Sequence, residues 1–99
     1  LLLELYGQQS QNVVLLDELG KEFSSEGFAD FIAKHTLSGK KELVFVIGGA
    51  HGFSVAVREH FKNVIALSQM TFTHQMVRLI FIEQLYRAFT ILANEKYHH

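Results

Sequence analysis

The chain has 99 residues, 48% of them apolar and nine of them phenylalanine, which suffices for one compact core and not for two. Nine Lys and Arg against ten Asp and Glu exclude a whole-chain electrostatic footprint for nucleic acid, so a polyanionic partner would need a local patch. The absence of cysteine excludes disulfides and thiolate metal sites and makes an intracellular, cytoplasmic protein the simplest reading.

Leu1, Leu2, Leu5 and Tyr6 suit the last turns of an amphipathic helix that Gly7 can stop. Glu4 follows Leu1-Leu2-Leu3 at once and no basic residue precedes them, so the start is no signal peptide. A start without methionine, inside what reads as the end of a helix, points to missing N-terminal sequence. Val13 to Leu16 is a short apolar run that predicts a buried strand with Asp17 at its carboxyl end. Ser24 or Ser25 can cap a helix carrying Phe28, Phe31, Ile32 and His35 at helical spacing, ending by Ser38-Gly39. Leu43 to Ile47 is an unbroken apolar run of strand length.

Gly48, Gly49 and Gly52 then break the chain into a turn, and Ser54 can cap a short helix with Val55, Val57, Arg58 and Phe61 that exits at Asn63. Val64 to Leu67 predicts a third strand. Three strands separated by helical segments imply a mostly parallel sheet with right-handed crossovers, an α/β fold. Gln75 to Asn94 predicts a helix so apolar that burial on more than one side is expected. Its narrow polar stripe is Glu83, Arg87, Thr90 and Asn94, which sets Glu83 one turn before Arg87. Arg78, Glu83, Gln84 and Arg87 interrupt the apolar stretches, so no membrane span is expected.

A glycine-rich turn at the end of a buried strand is where α/β proteins bind ligands. Gly48-Gly49-Ala50-His51-Gly52 fails the dinucleotide fingerprint, because its second glycine would have to be Ala50, and no Gly-Lys-Ser/Thr follows for a phosphate loop. On glycine spacing alone, a structural bend and a ligand-binding turn are equally good readings. The loop from Ser68 to His74 shifts the balance, since it offers backbone donors and acceptors with Met70 and Phe72 as apolar walls suited to an adenine and ribose. His74, where that loop meets the last helix, is in position to organise the helix's first amides. His35, His51 and His60 have no metal-ligand spacing, and no metal is expected. Arg87 reads either as an ion pair with Glu83 or as a phosphate or base contact at a pocket rim.

Several segments in order carry a family likeness: Leu15-Leu16-Asp17 with Gly20-Lys21 and Ser24-Ser25; Phe45-Val46-Ile47-Gly48-Gly49 with Gly52; Leu67-Ser68 to Thr71-Phe72-Thr73-His74; Glu83-Gln84-Leu85-Tyr86-Arg87-Ala88; and Tyr97-His98. Together they resemble the bacterial ribosomal RNA large subunit methyltransferase H family, of the SPOUT class, over almost all 99 residues. The resemblance implies one SPOUT domain over residues 1–99, with a parallel sheet, helices on both faces and a C-terminal deep trefoil knot. It implies S-adenosylmethionine as cofactor, held by Leu16 and Asp17, by Gly48 and Gly49, and by Ser68, Gln69, Met70, Thr71, Phe72 and Thr73. It implies a homodimer that methylates N3 of a pseudouridine in 23S ribosomal RNA on the assembled ribosome. Arg87, Tyr97 and His98 match its catalytic positions, and these three with His74 its RNA-facing ones.

Two departures stand beside the likeness. The family's strand, helix and strand ahead of the helix that opens this chain are absent from it, and His99 stands where a basic residue usually follows Tyr-His. His98-His99 also suit the remnant of a purification tag. Two other readings compete: a truncated or inactive domain of the same fold that binds cofactor or its twin subunit, and a flavodoxin-like nucleotide-binding module.

Overall fold

A computed structural model describes residues 12–37, 42–48 and 52–97. The helix expected over Leu1 to Tyr6, and the Ser38-Gly39 stop, lie outside the described residues. The element order is β1 (Val13–Glu22), α1 (Ser25–Leu37), β2 (Val44–Ile47), α2 (Val55–His60), β3 (Asn63–Ala66) and α3 (His74–Tyr97). The strands form one sheet in the order β2-β1-β3, and both pairings are parallel.

The apolar run Val13-Val14-Leu15-Leu16 becomes the central strand because both of its faces are covered. Val14 and Leu16 point to one side, where they meet Phe28, Ala29 and Ile32 of α1, Ile65 of β3, and Phe81 and Ala88 of α3. Val13 and Leu15 point to the other side and pack with Phe61, against Val57 just beyond. The period-two alternation of a strand therefore sorts four consecutive apolar residues into two cores. Phe28, Phe45 and Phe81 form the centre of the larger core: the Phe45 and Phe81 rings lie 4.8 Å apart, and Phe28 meets each of them edge-on at 6.1 Å. Each such pair adds about 0.5–1.5 kcal/mol beyond the area it buries.

β1 extends further than its apolar run. After Leu16, which pairs with Ile65, the chain leaves β3 and returns to pair Lys21 with Ile65 and Glu22 with Ala66. Polar residues hid this second segment from a reading based on apolar runs. β3 likewise starts at Asn63 and ends at Ala66, one residue ahead of the expected Val64 to Leu67.

The helix starts follow their caps. The Ser24 hydroxyl accepts from the Gly27 amide at 3.0 Å, so Ser24 rather than Ser25 caps α1. Ser25 is released to donate to Gln84 Oε1 at 2.8 Å, tying the start of α1 to α3. Ser54 caps α2 through the Val57 amide at 3.2 Å. Thr73 caps α3 through the Met76 amide at 3.3 Å, so the first amides of that helix are organised by Thr73 and not by His74.

The last helix departs from expectation in one respect. Phe81 and Ala88 are buried against the sheet, whereas Leu79, Ile82, Tyr86 and Phe89 on the opposite face are 55–74% exposed. Burial on more than one side is not achieved among the described residues. The helix is apolar on two opposite faces, and the described residues cover only one.

Candidate functional site

The carboxyl ends of the strands open into a cavity of about 300 Å³, at the lower end of the size range of small-molecule sites. Leu16 ends the apolar part of β1, Ile47 ends β2 and Leu67 follows β3, and all three reach the cavity floor. The excursion of β1 between Leu16 and Lys21 brings Asp17, Glu18 and Leu19 to one wall. The excursion is held by the Leu19 amide donating to Asp17 Oδ2 at 3.3 Å and by the close return of Gly20 to β3.

The second wall is the turn after β2. Gly48 lines it, and a Cβ there would meet the Phe53 ring at 3.0 Å. Gly52 has φ +72°, a left-handed conformation that suits glycine, and a Cβ on it would stand 3.1 Å from Asp17 Oδ1. The absence of a side chain at Gly52 thus keeps the Asp17 carboxylate open on that side. Gly49 lies outside the described residues.

The third wall is the loop from Ser68, of which Ser68, Met70, Thr71 and Phe72 line the cavity, with His74 and Val77 from the start of α3. The Met70 amide donates to Ser68 Oγ at 3.0 Å and shapes the bend. Two residues expected in the cavity do other work. Gln69 donates to Glu22 Oε2 at 3.2 Å, fastening the loop to the returning segment of β1, and Thr73 is the cap of α3.

Of the residues read as cofactor-binding, the structure brings together Leu16, Asp17, Gly48, Ser68, Met70, Thr71 and Phe72. It adds Phe53 and Arg58, which no motif singled out. Phe53 follows directly from the glycine turn, and a signal for it was present in that adjacency. Arg58 had none, being one basic residue on a six-residue helix. Its Nε is buried without a hydrogen-bond acceptor.

Arg87 does not line the cavity. It sits on an exposed stretch of α3 with its Nη2 3.4 Å from Glu83 Oε1, an ion pair with both side chains more than half exposed. Tyr97 is the last residue of α3, and His98 lies outside the described residues. Among the described residues no three His, Asp or Glu side chains group as metal ligands, and no helix is long and apolar enough to cross a membrane.

A sequence-family model described as Predicted SPOUT methyltransferase matches residues 2–98. The chain belongs to the SPOUT methyltransferase family. It is similar to proteins named Ribosomal RNA large subunit methyltransferase H. One from Christiangramia forsetii is 62% identical over 92 residues, covering 93% of this chain and 59% of the relative. Another from Flavobacterium johnsoniae is 58% identical over 90 residues, covering 91% and 57%. A third, from Trichlorobacter lovleyi, is 59% identical over 97 residues, covering 96% and 63%. The chain thus spans about three fifths of the length of these relatives. The SPOUT match runs through all three cavity walls and the whole of α3, so the cavity lies wholly within the matched sequence.

The cavity's chemistry suits the methyl donor that the family resemblance implies. Leu16, Ile47, Phe53 and Leu67 supply apolar lining, Ser68 and Thr71 hydroxyl-bearing lining, and Asp17, Glu18 and Arg58 charged lining. A ligand that is part flat and apolar, part hydroxylated and part zwitterionic matches that set.

Proposed function

We propose that this chain is the larger part of an S-adenosylmethionine-dependent methyltransferase acting on N3 of a pseudouridine in 23S ribosomal RNA, within the assembled ribosome and in the cytoplasm. The observation that carries the reading is the cavity where the three strands end, walled by the segments that hold the likeness to rRNA methyltransferases. Residues 1–99 form one SPOUT domain in this reading, completed by the N-terminal elements of the full-length protein, with its C-terminal segment tied as a trefoil knot. Gly49, Gln69 and Thr73 belong to the donor site with the cavity residues, the last two by holding the third wall in place.

The donor supplies an electrophilic methyl group. What remains for the protein is positioning the acceptor nitrogen in line and accommodating the charge left when N3 loses its proton. Arg87 meets that second need as a cation that Glu83 holds only weakly, because an exposed pair is worth little. Tyr97 and His98 position the acceptor, and His74, at the cavity edge, faces the RNA.

A homodimer reconciles Arg87 with the cavity. Leu79, Ile82, Tyr86 and Phe89 recur at spacings of three and four and form a continuous apolar face flanked by Glu83 and Arg87. Packing this face on a second copy buries the uncovered side of α3 and carries Arg87 towards the partner subunit's cavity.

The test is methyl incorporation into ribosomes that lack the native modification, with donor binding followed separately by calorimetry. Arg87→Ala is expected to abolish incorporation and leave donor affinity unchanged. Loss of both together would make Arg87 part of the pocket structure, and incorporation at the unsubstituted rate would remove it from catalysis. Binding of NAD but not of S-adenosylmethionine or S-adenosylhomocysteine would overturn the methyltransferase reading.

A further inference from the structure

Arg58 has no role in the family likeness, yet it occupies a distinctive place. It projects from α2, whose first turn is fixed by the Ser54 cap and by the Arg58 amide donating to Ser54 O at 3.0 Å. The side chain is half-buried at the cavity wall, and its Nε is sealed from solvent without an acceptor. Buried donors in folded proteins are almost always satisfied. An orphaned one costs about 1–3 kcal/mol, which an incoming acceptor can offset.

Asp17 and Glu18 line the same cavity, and neither forms an ion pair with Arg58. The site thus keeps a cation and two anions in one small space without letting them neutralise one another. A wall of that kind suits a zwitterion. Guanidinium recognises carboxylate through two parallel N–H donors, a geometry that includes Nε.

Resting on the methyl-donor reading, we infer that Arg58 binds the α-carboxylate of the donor's amino-acid moiety and so makes the cavity selective for ligands that carry that group. In that pairing Nε and one Nη donate to the carboxylate, and Asp17 or Glu18 takes the ammonium. RNA phosphate is the poorer match, because a half-buried side chain in a cavity wall is less accessible to a polymer backbone than to a small molecule.

The test is calorimetric titration of the full-length protein with S-adenosylhomocysteine, its carboxyl methyl ester and 5′-methylthioadenosine, which lacks the amino-acid portion. The unsubstituted protein is expected to bind S-adenosylhomocysteine roughly tenfold or more tightly than the ester, as loss of one charge-assisted pair implies. Arg58→Met keeps the apolar stem. It should weaken S-adenosylhomocysteine by a similar factor, leave 5′-methylthioadenosine unchanged and abolish the penalty for the ester; Arg58→Lys should restore part of it. Equal affinity of the unsubstituted protein for acid and ester overturns the inference without any variant. Equal weakening of all three ligands by Arg58→Met gives Arg58 a packing role and also overturns it, as does a raised KM for ribosomes with all three affinities unchanged. If the unsubstituted protein binds none of the three, the methyl-donor reading fails first and this inference with it.

Discussion

Replacing Gly20 by alanine tests the link between the irregular first strand and the cavity. A Cβ on Gly20 would stand 2.6 Å from the carbonyl carbon and oxygen of Val64 and 2.8 Å from the Ile65 nitrogen. These are backbone atoms of β3 and cannot swing aside as a side chain can. Relief requires the returning segment of β1 to separate from β3, which moves the excursion between Leu16 and Lys21 that walls the cavity. Overpacking of this kind costs about 1–3 kcal/mol, and the stiffer unfolded chain of the alanine variant returns about 0.4–1 kcal/mol. The net loss is about 1–2 kcal/mol, or a fall in Tm of about 4–8 °C at roughly 4 °C per kcal/mol.

Differential scanning calorimetry of the full-length protein reads the Tm, and donor titration should show weakened binding in the same variant. Gly27→Ala is the control. Its new Cβ would meet only side-chain atoms, Ser24 Oγ at 3.2 Å and Phe23 Cδ1 at 3.3 Å, while alanine gains up to about 1 kcal/mol of helix propensity. Its Tm is expected to hold or rise. A Gly20→Ala protein that melts at or above the unsubstituted temperature, or a Gly27→Ala protein that loses as much, would refute the reasoning.

Phe61→Ala empties a fully buried site between Val13 and Leu15, so urea denaturation should show a loss of about 3–5 kcal/mol; a loss under about 1 kcal/mol would mean that the smaller core is not closed as described. Thr73→Val removes the hydroxyl that caps α3 and should cost about 1 kcal/mol, with faster hydrogen exchange at the Met76 amide; unchanged exchange there would remove the cap. Glu83→Gln breaks the exposed pair with Arg87 and should change stability by no more than about 0.5 kcal/mol in the same denaturation assay. Leu79→Glu places a charge on the exposed apolar face of α3, and sedimentation is expected to show a dimer for the unsubstituted protein and monomers for the variant. A Leu79→Glu dimer would move the interface elsewhere.

Much of the architecture was legible because local rules and the tertiary fold agree. Val13 to Leu16 and Leu43 to Ile47 read as strands, the second observed from Val44, since unbroken apolar runs are what a doubly covered parallel sheet demands. Ser24 and Ser54 announce helices because a hydroxyl before a helical run satisfies free amides, whereas the Thr73 cap was read as part of the ligand loop. The second segment of β1 was not legible. Lys21 and Glu22 carry no apolar signal, and they pair with β3 because the chain must come back across the sheet before α1 begins. In the third wall, consecutive loop residues share a neighbourhood in sequence, but alternating directions sent Gln69 to Glu22 while Ser68 and Met70 remained at the cavity.

The unbroken apolar runs, the helical spacing between them and the glycines after β2 were enough to indicate the element order, the parallel sheet and the end at which the cavity lies, because these depend on periodicity and backbone freedom. Family membership was readable in the same way, from short segments in register. Three-dimensional packing alone separated the two faces of α3, since composition cannot say which apolar side a neighbour covers. Packing also placed Arg58 against the cavity with Asp17 and Glu18, residues about forty positions away in sequence. A solitary charge acquires meaning from what surrounds it, and here that surrounding is made by strands the chain visits at different times.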